Sequence, residues 1–421
     1  MIRRLMSILR GRRSVSMPSW VLLVGPFFLS FTAGAEVEVD WELGTEVRLF
    51  AEDASYGQAN QNVSLRGQVE IYYAWNDGMD SIEFTPWYVI DQQDEKRTHG
   101  DIQELAWIHV EDEWELRVGI RKVFWGVTET AHLVDIINQS DFSRGLDGED
   151  KLGQPMVNLS MVRDWGILDF FILPGHRKRI YPGEEGRPRS ALVITRDGAT
   201  YESKDEDRSV SSAVRWQVSL DDWEFGLSHF HGTSREPTIA GMNDEDELLT
   251  YYPEIDQTGL EAQYIAGDWI WKFESIVRSG QGNQYTAATG GTEYTQLGIF
   301  DSDADLGWIV EYNFDDRGSD APHSSERDVV VGTRWTLNDA ADSQALMVVS
   351  VDTETSEQLW SLEASRRFYD NWFVTVDMYI FVDTGDAPAV DDILAGDFDP
   401  EEKLAAFSRD DYLQLEVVRY F

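Results

Sequence analysis

The chain has 421 residues, of which 77 are acidic and 35 basic, so its net charge is −42 at pH 7. Such a charge argues against nucleic-acid binding, and the absence of cysteine excludes disulfides, thiolate metal sites and thiol catalysis. With 27% charged residues spread along the chain, a helical transporter is excluded, because each membrane helix needs roughly 20 nearly uncharged apolar residues.

The beginning of the chain has the order of a secretory signal peptide. Five arginines within residues 3–13 precede an apolar run at residues 20–31, and residues 33–35 fit a small-x-small cleavage site. A membrane anchor is the alternative, but a run of about a dozen residues broken by a Gly-Pro pair is too short to span a bilayer. We predict a signal peptide over residues 1–35 and a single β-barrel domain over residues 36–421.

From residue 36 onward, alternating stretches of roughly ten residues are joined in turn by short polar turns and long polar loops. The short turns fall at residues 76–78, 111–113, 163–164, 220–222, 266–268, 301–303, 338–342 and 369–371. The long loops fall near residues 50–61, 91–99, 125–154, 173–208, 231–254, 280–290, 315–326, 352–356 and 383–407. This order predicts about 18 antiparallel strands, with 16 as the alternative, and both ends of the sheet on the short-turn side.

Each predicted strand has one apolar and one polar face. In the first strand the apolar face carries Val37, Val39, Trp41, Leu43, Val47 and Leu49, and the other face carries Glu38, Asp40, Glu42, Glu46 and Arg48. A soluble β-sandwich would alternate in the same way, with its apolar face turned inward. In the third strand Pro86 cannot donate to the sheet, so we expect a bulge or a strand boundary there.

Tryptophan repeatedly follows a short turn. It does so at Trp114, Trp165, Trp223, Trp269 and Trp372. Such a row lies at one height on a barrel and predicts an aromatic girdle at a membrane interface. The alternative is the general preference of tryptophan for strands, which does not explain its fixed position just past the turn.

The last strand ends in an aromatic residue and alternates before it. Leu413, Leu415, Val417 and Phe421 carry the pattern, which resembles the last strand of Gram-negative outer-membrane β-barrels. The resemblance implies that these four residues form the assembly signal read by the barrel-assembly machinery, a partner during biogenesis. Arg419 departs from it, although an arginine near an interface can extend its guanidinium to water.

A second resemblance lies before and within the third long loop. The stretch from Arg117 to Arg121, then Trp125-Gly126, then Asp135, Asn138 and Asp141, resembles large outer-membrane barrel families that are distantly similar to porins and polysaccharide-export barrels. The resemblance implies a porin-like barrel. The apolar residues within the third long loop predict that this loop folds inward. Residues 129–137 are a possible short helix within this loop, because Leu133, Ile136 and Ile137 need burial.

We therefore predict an all-β transmembrane antiparallel barrel with short periplasmic turns and long extracellular loops. Eighteen strands enclose a lumen too wide for wall side chains to fill, so the expected function is passage of small polar solutes or ions. The alternation makes three residues candidates to line the pore: Glu115, Arg117 and Arg121. The resemblance to porins implies five candidates for its constriction: Glu129, Asp135, Asn138, Asp141 and Arg144. Alternatively, wall charges of mixed sign only solvate and stiffen the lumen, and Asp135, Asn138 and Asp141 only pin the loop.

The long loops carry one basic patch and several acidic runs. The patch comprises Arg177, Lys178, Arg179, Arg187 and Arg189. It is suited to anionic solutes or lipopolysaccharide phosphates, unless acidic neighbours pair with it. The acidic runs at residues 243–247 and 391–402 fit a solvated surface as well as calcium capture, and they lack the ligand spacing of a calcium hand.

Two other classes of function compete with a channel. A hydrolase needs a clustered nucleophile and base, whereas the closest histidine pair, His229 and His231, has no identifiable third metal ligand. A binding or structural barrel is the other alternative. We predict that the protein is not an enzyme and has no cofactor and no metal site. Its expected location is the outer membrane, where its partners are lipid, lipopolysaccharide and a small polar solute, and its oligomeric state is left open.

Overall fold

The computed structural model describes residues 36–421, and in it eighteen strands form one closed antiparallel barrel. The predicted signal peptide lies outside the described residues. The strands are β1 (Glu36–Phe50), β2 (Gln61–Trp75), β3 (Asp80–Asp91), β4 (His99–Val110), β5 (Trp114–Arg121), β6 (Gln154–Arg163), β7 (Gly166–Pro174), β8 (Ile194–Tyr201), β9 (Val210–Leu220), β10 (Trp223–Thr233), β11 (Thr238–Met242), β12 (Leu248–Tyr252), β13 (Glu254–Ala266), β14 (Trp269–Ser279), β15 (Tyr285–Gln296), β16 (Asp305–Asp315), β17 (Asp328–Thr336), β18 (Gln344–Asp352), β19 (Gln358–Phe368), β20 (Trp372–Val382) and β21 (Tyr412–Tyr420).

The barrel closes because β1 pairs with both β2 and β21. All strands except β8, β11 and β12 belong to it, which confirms the predicted number of 18. Short turns and long loops alternate over most of the chain as predicted, and β1 begins and β21 ends at the short-turn edge. The exceptions are residues 297–304 and 337–343, which lie at the short-turn edge but form longer connections than residues 280–284 and 353–357 at the long-loop edge. A two-layer sandwich is thereby excluded.

The apolar faces of the strands turn outward, away from the barrel interior. Leu65 and Ile90, which pair across β2 and β3, are 55% and 56% exposed. The intervening residues point inward and are mostly polar: Glu42 and Arg48 on β1, for example, are buried. This arrangement is the reverse of that in a soluble sandwich.

Tryptophans form a ring on the outside of the short-turn edge. Four of the five predicted tryptophans are exposed, each at or next to the start of a strand: Trp165, Trp223, Trp269 and Trp372. The fifth, Trp114, also begins a strand but is only partly exposed. The predicted row at one height is therefore present in the fold.

The two ends of the barrel meet within this ring. Trp41 of β1 stacks on Phe421 with ring centroids 3.7 Å apart. The guanidinium of Arg419 lies 4.4 Å from the Phe421 ring centroid and 5.4 Å from that of Trp372. Arg419, the departure from the terminal pattern, is thus accommodated by cation–π contacts with its neighbours.

Pro86 lies at an irregularity in β3, as predicted. Thr85 pairs with Glu104 of β4, whereas Pro86 pairs with Ile102, so one residue of β4 is skipped. The bulge removes the need for a donor at the proline.

The remaining three strands form a small separate sheet that the sequence pattern did not reveal. β8 lies in the long connection between β7 and β9, and β11 and β12 lie in the one between β10 and β13. β12 pairs antiparallel with β11 and parallel with β8, so the sheet ties the two long loops together.

The last long loop, between β20 and β21, contains helix α1 (Val390–Ala395). No helix within residues 36–421 is long and apolar enough to cross a membrane.

Candidate functional site

The third long loop, residues 122–153, folds into the barrel and packs against one side of its inner wall. Trp125, Val134, Ile136 and Ile137 are buried in a cluster of apolar side chains. The wall contributes to this cluster Met156, Phe171, Leu173, Ala213, Phe230, Ile255, Ile276, Tyr285 and Ala287, from strands β6 to β15. The predicted inward fold and the predicted burial of Ile136 and Ile137 are confirmed.

A carboxylate on the wall holds the backbone of this loop. Glu274 of β14 is fully buried, and its Oε1 accepts hydrogen bonds from the N–H groups of Val127 and Thr128 at 2.7 and 3.0 Å. The Thr128 hydroxyl donates to the same oxygen at 2.7 Å, and the Val134 N–H donates to Oε2 at 3.3 Å. A single side chain therefore fixes two segments of the loop, at residues 127–128 and at residue 134.

Glu311 of β16, two strands along the wall from Glu274, also binds the backbone of the loop. Its Oε1 accepts from the Glu129 N–H at 2.7 Å, and its Oε2 accepts from the N–H and hydroxyl of Thr130 at 3.1 and 3.0 Å. The possible helix over residues 129–137 is wrong, because that segment has no helix. Its amide groups donate to wall carboxylates instead of forming the i to i−4 bonds of a helix.

Gly126 lets the backbone approach the wall. Its φ is +132°, in a region that favours glycine, and an added Cβ would lie 2.9 Å from Oε1 of Glu274. The Trp125-Gly126 pair noted in the sequence thus combines a buried anchor with a close backbone approach.

The side chain of Glu129 joins the loop to a charged network on the wall. Its Oε2 lies 2.5 Å from Nη2 of Arg334 and 3.6 Å from Nζ of Lys272. Glu293 contacts the same two cations at 3.3 Å each. The alternating charges compensate one another, so Glu129 is held at the wall.

Asp135, Asn138 and Asp141, whose alternative role is to pin the loop, all form hydrogen bonds with neighbouring protein groups. The Asn138 amide accepts from the Val123 N–H and donates to the carbonyls of Arg121 and Leu152, each at 2.8 Å. Asp135 Oδ1 accepts from the Trp125 N–H at 3.2 Å.

Asp141 is fixed in a similar way. Its Oδ1 accepts from the Ser143 hydroxyl at 2.6 Å, and its Oδ2 lies 2.8 Å from Nε2 of His99. Both contacts hold the part of the loop near the long-loop edge. The guanidinium of the neighbouring Arg144 lies over the Trp87 ring, 4.4 Å from its centroid.

On the other side of the loop a cavity of about 1140 Å³ remains. Its walls are β1 to β7, β9, β19 to β21 and the loop itself, and its lining extends along β1 from Glu38 to Arg48. The cavity therefore follows most of the height of the barrel. The loop divides the lumen into a packed half and an open, polar half.

The predicted pore residues fall into two groups. Arg117, Arg121, Asp135 and Arg144 line the cavity. Glu115 forms an ion pair with Arg117 on the same strand, whereas Glu129, Asn138 and Asp141 are buried where the loop meets the wall. A role of any of them in permeation remains a prediction.

The charges around the cavity are mixed but unequal, with fourteen acidic and eight basic side chains. Many are paired across strands: Arg66 of β2 lies 2.9 Å from Glu42 of β1 and 2.5 Å from Glu416 of β21, and Arg121 lies 3.6 Å from Glu104. Such pairs agree with a wall that is solvated and stiffened by mixed charges, and the excess of carboxylates makes the lining negative.

The residues of the predicted basic patch contact mainly other protein groups. Arg187 is buried and contacts Asp410 at 2.7 Å, Asn60 at 3.0 Å and the carbonyl oxygens of Glu52 and Arg409. Three long loops therefore meet at this one guanidinium. Burial raises the pKa of Asp410, and Arg187 opposes that shift.

The other four residues of the patch have different partners and different degrees of burial. Arg177 pairs with Asp101 at 2.7 Å, Arg179 donates to Gln139 and to the Arg235 carbonyl, and burial lowers the pKa of Arg189. Lys178 is half-buried, and its ammonium donates to the Arg196 carbonyl at the surface. These contacts agree with the alternative that the patch is satisfied within the loops.

The histidine pair lies outside the lumen. His229 and His231 are exposed on β10, and each has a ring nitrogen near Oδ1 of Asp256, at 3.6 and 3.0 Å. All three side chains are about half exposed or more.

The sequence did not predict two groups of residues in this site: the wall carboxylates that bind the loop and part of the acidic cavity lining. Glu274 and Glu311 lie on the inner faces of β14 and β16, but nothing in the sequence indicated that they bind loop amides 140 to 182 positions away. In the acidic lining of β20 and β21, Asp377 and Glu416 were not predicted as pore residues either.

No protein-family model and no curated protein matches the sequence. Solved structures do match. Wzi, an outer-membrane protein involved in group 1 capsule assembly in Escherichia coli and described as a carbohydrate-binding β-barrel, superposes with a TM-score of 0.51 at 8% identity, over 90% of this chain and 83% of Wzi. Pseudomonas aeruginosa OpdQ superposes with a TM-score of 0.50 at 10% identity, over 92% of this chain and 97% of OpdQ. The chain has the fold of porin-like outer-membrane barrels.

Proposed function

We propose that the protein is a porin-like channel of the Gram-negative outer membrane that passes small polar solutes or ions. The observation that carries this proposal is the polar cavity that runs beside the inward loop along most of the barrel height. A barrel with a purely structural role could have its lumen filled by side chains and loops, without such a cavity. Here the inward loop leaves part of the lumen open, so it narrows a passage without closing it.

The outer surface supports placement in a membrane. Its apolar side chains are exposed along the strands, and the ring of tryptophans lies at one edge, where half-dehydrated indole rings favour a bilayer interface. A closed sheet leaves no unpaired edge in hydrocarbon. We infer that lipid covers this surface and that the short-turn edge faces the periplasm.

Permeation is tested by swelling of liposomes that contain the folded protein, in solutions of neutral sugars of increasing size. We expect rapid swelling with small sugars and a decrease as the sugar grows. Liposomes that contain verified folded protein and swell no faster than empty ones, for every sugar, would contradict passage of solutes.

Charge reversal in the lining tests which residues face the passage. Because acidic side chains outnumber basic ones there, we expect a preference for cations, and Arg117→Glu or Arg121→Glu should increase it. A unit charge in water changes the energy of an ion about 4 Å away by roughly 1 kcal/mol, or about fivefold in its population. Because charge reversal changes two unit charges and acts with opposite sign on cations and anions, the cation-to-anion permeability ratio should rise by at least about fivefold. The measurement is the reversal potential across a salt gradient.

Arg163→Glu is the matched control, because Arg163 pairs with Glu113 at the short-turn edge. It should change the permeability ratio much less. An equal shift in all three variants, or no shift in any, would place Arg117 and Arg121 away from the ion path.

A barrel that binds a ligand or supports the envelope without conducting is the second candidate. The convergence of three loops on buried Arg187, above the cavity, favours it, because such a contact would close the outer mouth. The likeness to Wzi, which is described as carbohydrate-binding, is compatible with this function. Lipopolysaccharide and the barrel-assembly machinery remain predicted partners.

A further inference from the structure

Three carboxylates meet at the long-loop edge of the barrel, between β17 and β18. Glu326 precedes β17, Asp328 is its first residue, and Asp352 is the last residue of β18 and the pairing partner of Asp328. One potential ligand atom from each lies within 4.8 Å of the others. The three residues are 3%, 4% and 7% exposed, so water does not screen their mutual repulsion.

Two of these residues have a buried oxygen without a hydrogen-bond partner. Asp328 Oδ2 accepts from the Ser350 hydroxyl, whereas its Oδ1 has no donor. Glu326 Oε1 pairs with the ammonium of Lys403 at 2.7 Å, whereas its Oε2 has no donor. A buried anionic oxygen without a partner is costly. The unpartnered oxygens are therefore available to bind a cation.

Charge balance agrees with this interpretation. Among the basic residues of the described part of the chain, Lys403 forms an ion pair with the cluster, and its ammonium also donates to the carbonyls of Gly318, Ala321 and His323. If all three carboxylates are ionised, one ammonium leaves two negative charges. A divalent cation would neutralise both.

We propose that Glu326, Asp328 and Asp352 form a calcium site. Oxygen-only ligands suit a hard cation, and two oxygens bound to one Ca²⁺ at about 2.4 Å lie at most about 4.8 Å apart. The three potential ligand atoms lie within that separation of one another. Mg²⁺ fits less well, because it demands shorter contacts and regular octahedral geometry. Water molecules would complete the calcium shell.

The site would connect two parts of the long-loop edge. Glu357, just beyond Asp352, accepts from the Leu404 N–H at 3.1 Å, and Lys403 contacts Glu326, so the last long loop is seated beside the carboxylates. Calcium would hold the ends of β17 and β18 together beneath this loop. The sequence did not reveal the site, because its ligands come from two strand ends rather than from one spaced loop.

The test is calcium titration of the folded protein in detergent after chelator treatment, by calorimetry and by luminescence of bound Tb³⁺ that Ca²⁺ displaces. We expect one saturable site with a dissociation constant in the range of about 10⁻⁴ to 10⁻³ M, as in extracellular calcium modules. Ca²⁺ should also raise the thermal unfolding midpoint more than an equal concentration of Mg²⁺.

Asp328→Asn and Asp352→Asn keep the side-chain shape but remove a charged ligand, so each should weaken binding by at least about tenfold. Asp244→Asn, in an exposed acidic run, is the control and should leave the affinity unchanged. Glu326→Gln replaces either aspartate variant that fails to fold, as judged by heat-modifiable electrophoretic mobility.

Two results would overturn the proposal. One is the absence of saturable binding at millimolar Ca²⁺ by the wild-type protein. The other is an unchanged affinity in the cluster variants, which would place bound calcium in the exposed acidic loops.

Discussion

Replacing Val331 with arginine is expected to lower the free energy of unfolding of the lipid-reconstituted barrel by about 2–4 kcal/mol, the cost of a cation on the lipid face near the bilayer midplane. Val331 is 50% exposed on the outside of β17, and it pairs with Val310 on one side and Val349 on the other. It lies between Trp335 near the short-turn edge and Asp328 at the long-loop edge. The measurement is equilibrium unfolding in urea, followed by tryptophan fluorescence.

Leu337→Arg is the matched control. Leu337 is also exposed, but it lies in the turn after β17, where the same cation should cost only about 0–1 kcal/mol. If the side chains faced water, both substitutions would be nearly neutral. Equal stability of the two variants would therefore contradict a lipid-covered outer surface.

Removing both wall carboxylates that hold the inward loop, with Glu274→Ala and Glu311→Ala together, is expected to release residues 122–153 from the wall. Each donor left unsatisfied costs about 1–3 kcal/mol, and four backbone N–H groups of Val127 to Thr130 lose their acceptors. The freed loop should fluctuate across the cavity. Single-channel recordings should therefore have noisier current and a larger maximum conductance than the wild type.

Glu83→Ala controls for the loss of lumen charge. Glu83 lines the cavity from β3, on the wall opposite the loop anchor. Glu274→Gln keeps one accepting oxygen and should give an intermediate phenotype. Unchanged current noise in the double variant would mean that the apolar cluster around Trp125 and Ile137 alone fixes the loop.

The sequence predicted the barrel well, because the alternation within a strand and the spacing of turns depend only on residues that are close in the chain. The alternation in β1 assigned Trp41 and Leu43 to the outside and Glu42 to the inside, and the turn spacing gave the 18 strands. Pro86 marked its own bulge, since a residue without an N–H cannot continue a regular ladder.

The conformation of the inward loop could not be predicted in this way, because it depends on residues that are distant in the sequence. Ile136 and Ile137 indicated burial, and a helix was the local way to achieve it. The extended loop forms instead because Glu274 and Glu311 accept its amide hydrogens. These carboxylates look like ordinary inward residues in the sequence.

The strands within the long connections were missed for the same reason, because their pairing partners are distant in the sequence. β8 and β12 pair across more than forty intervening residues, so each appeared as part of a polar loop. Arg187 was assigned to an exposed basic patch, and its burial depends on Asp410 at the far end of the chain. Charge in a loop predicts neither exposure nor availability once its partner lies on another loop.

Single-channel recording of the folded wild-type protein in planar lipid bilayers tests the account most directly. We expect discrete, ion-permeable current steps that favour cations, because a negative cavity runs beside the docked loop. Insertion of verified folded protein without any conductance would contradict a channel and would favour a barrel closed at Arg187.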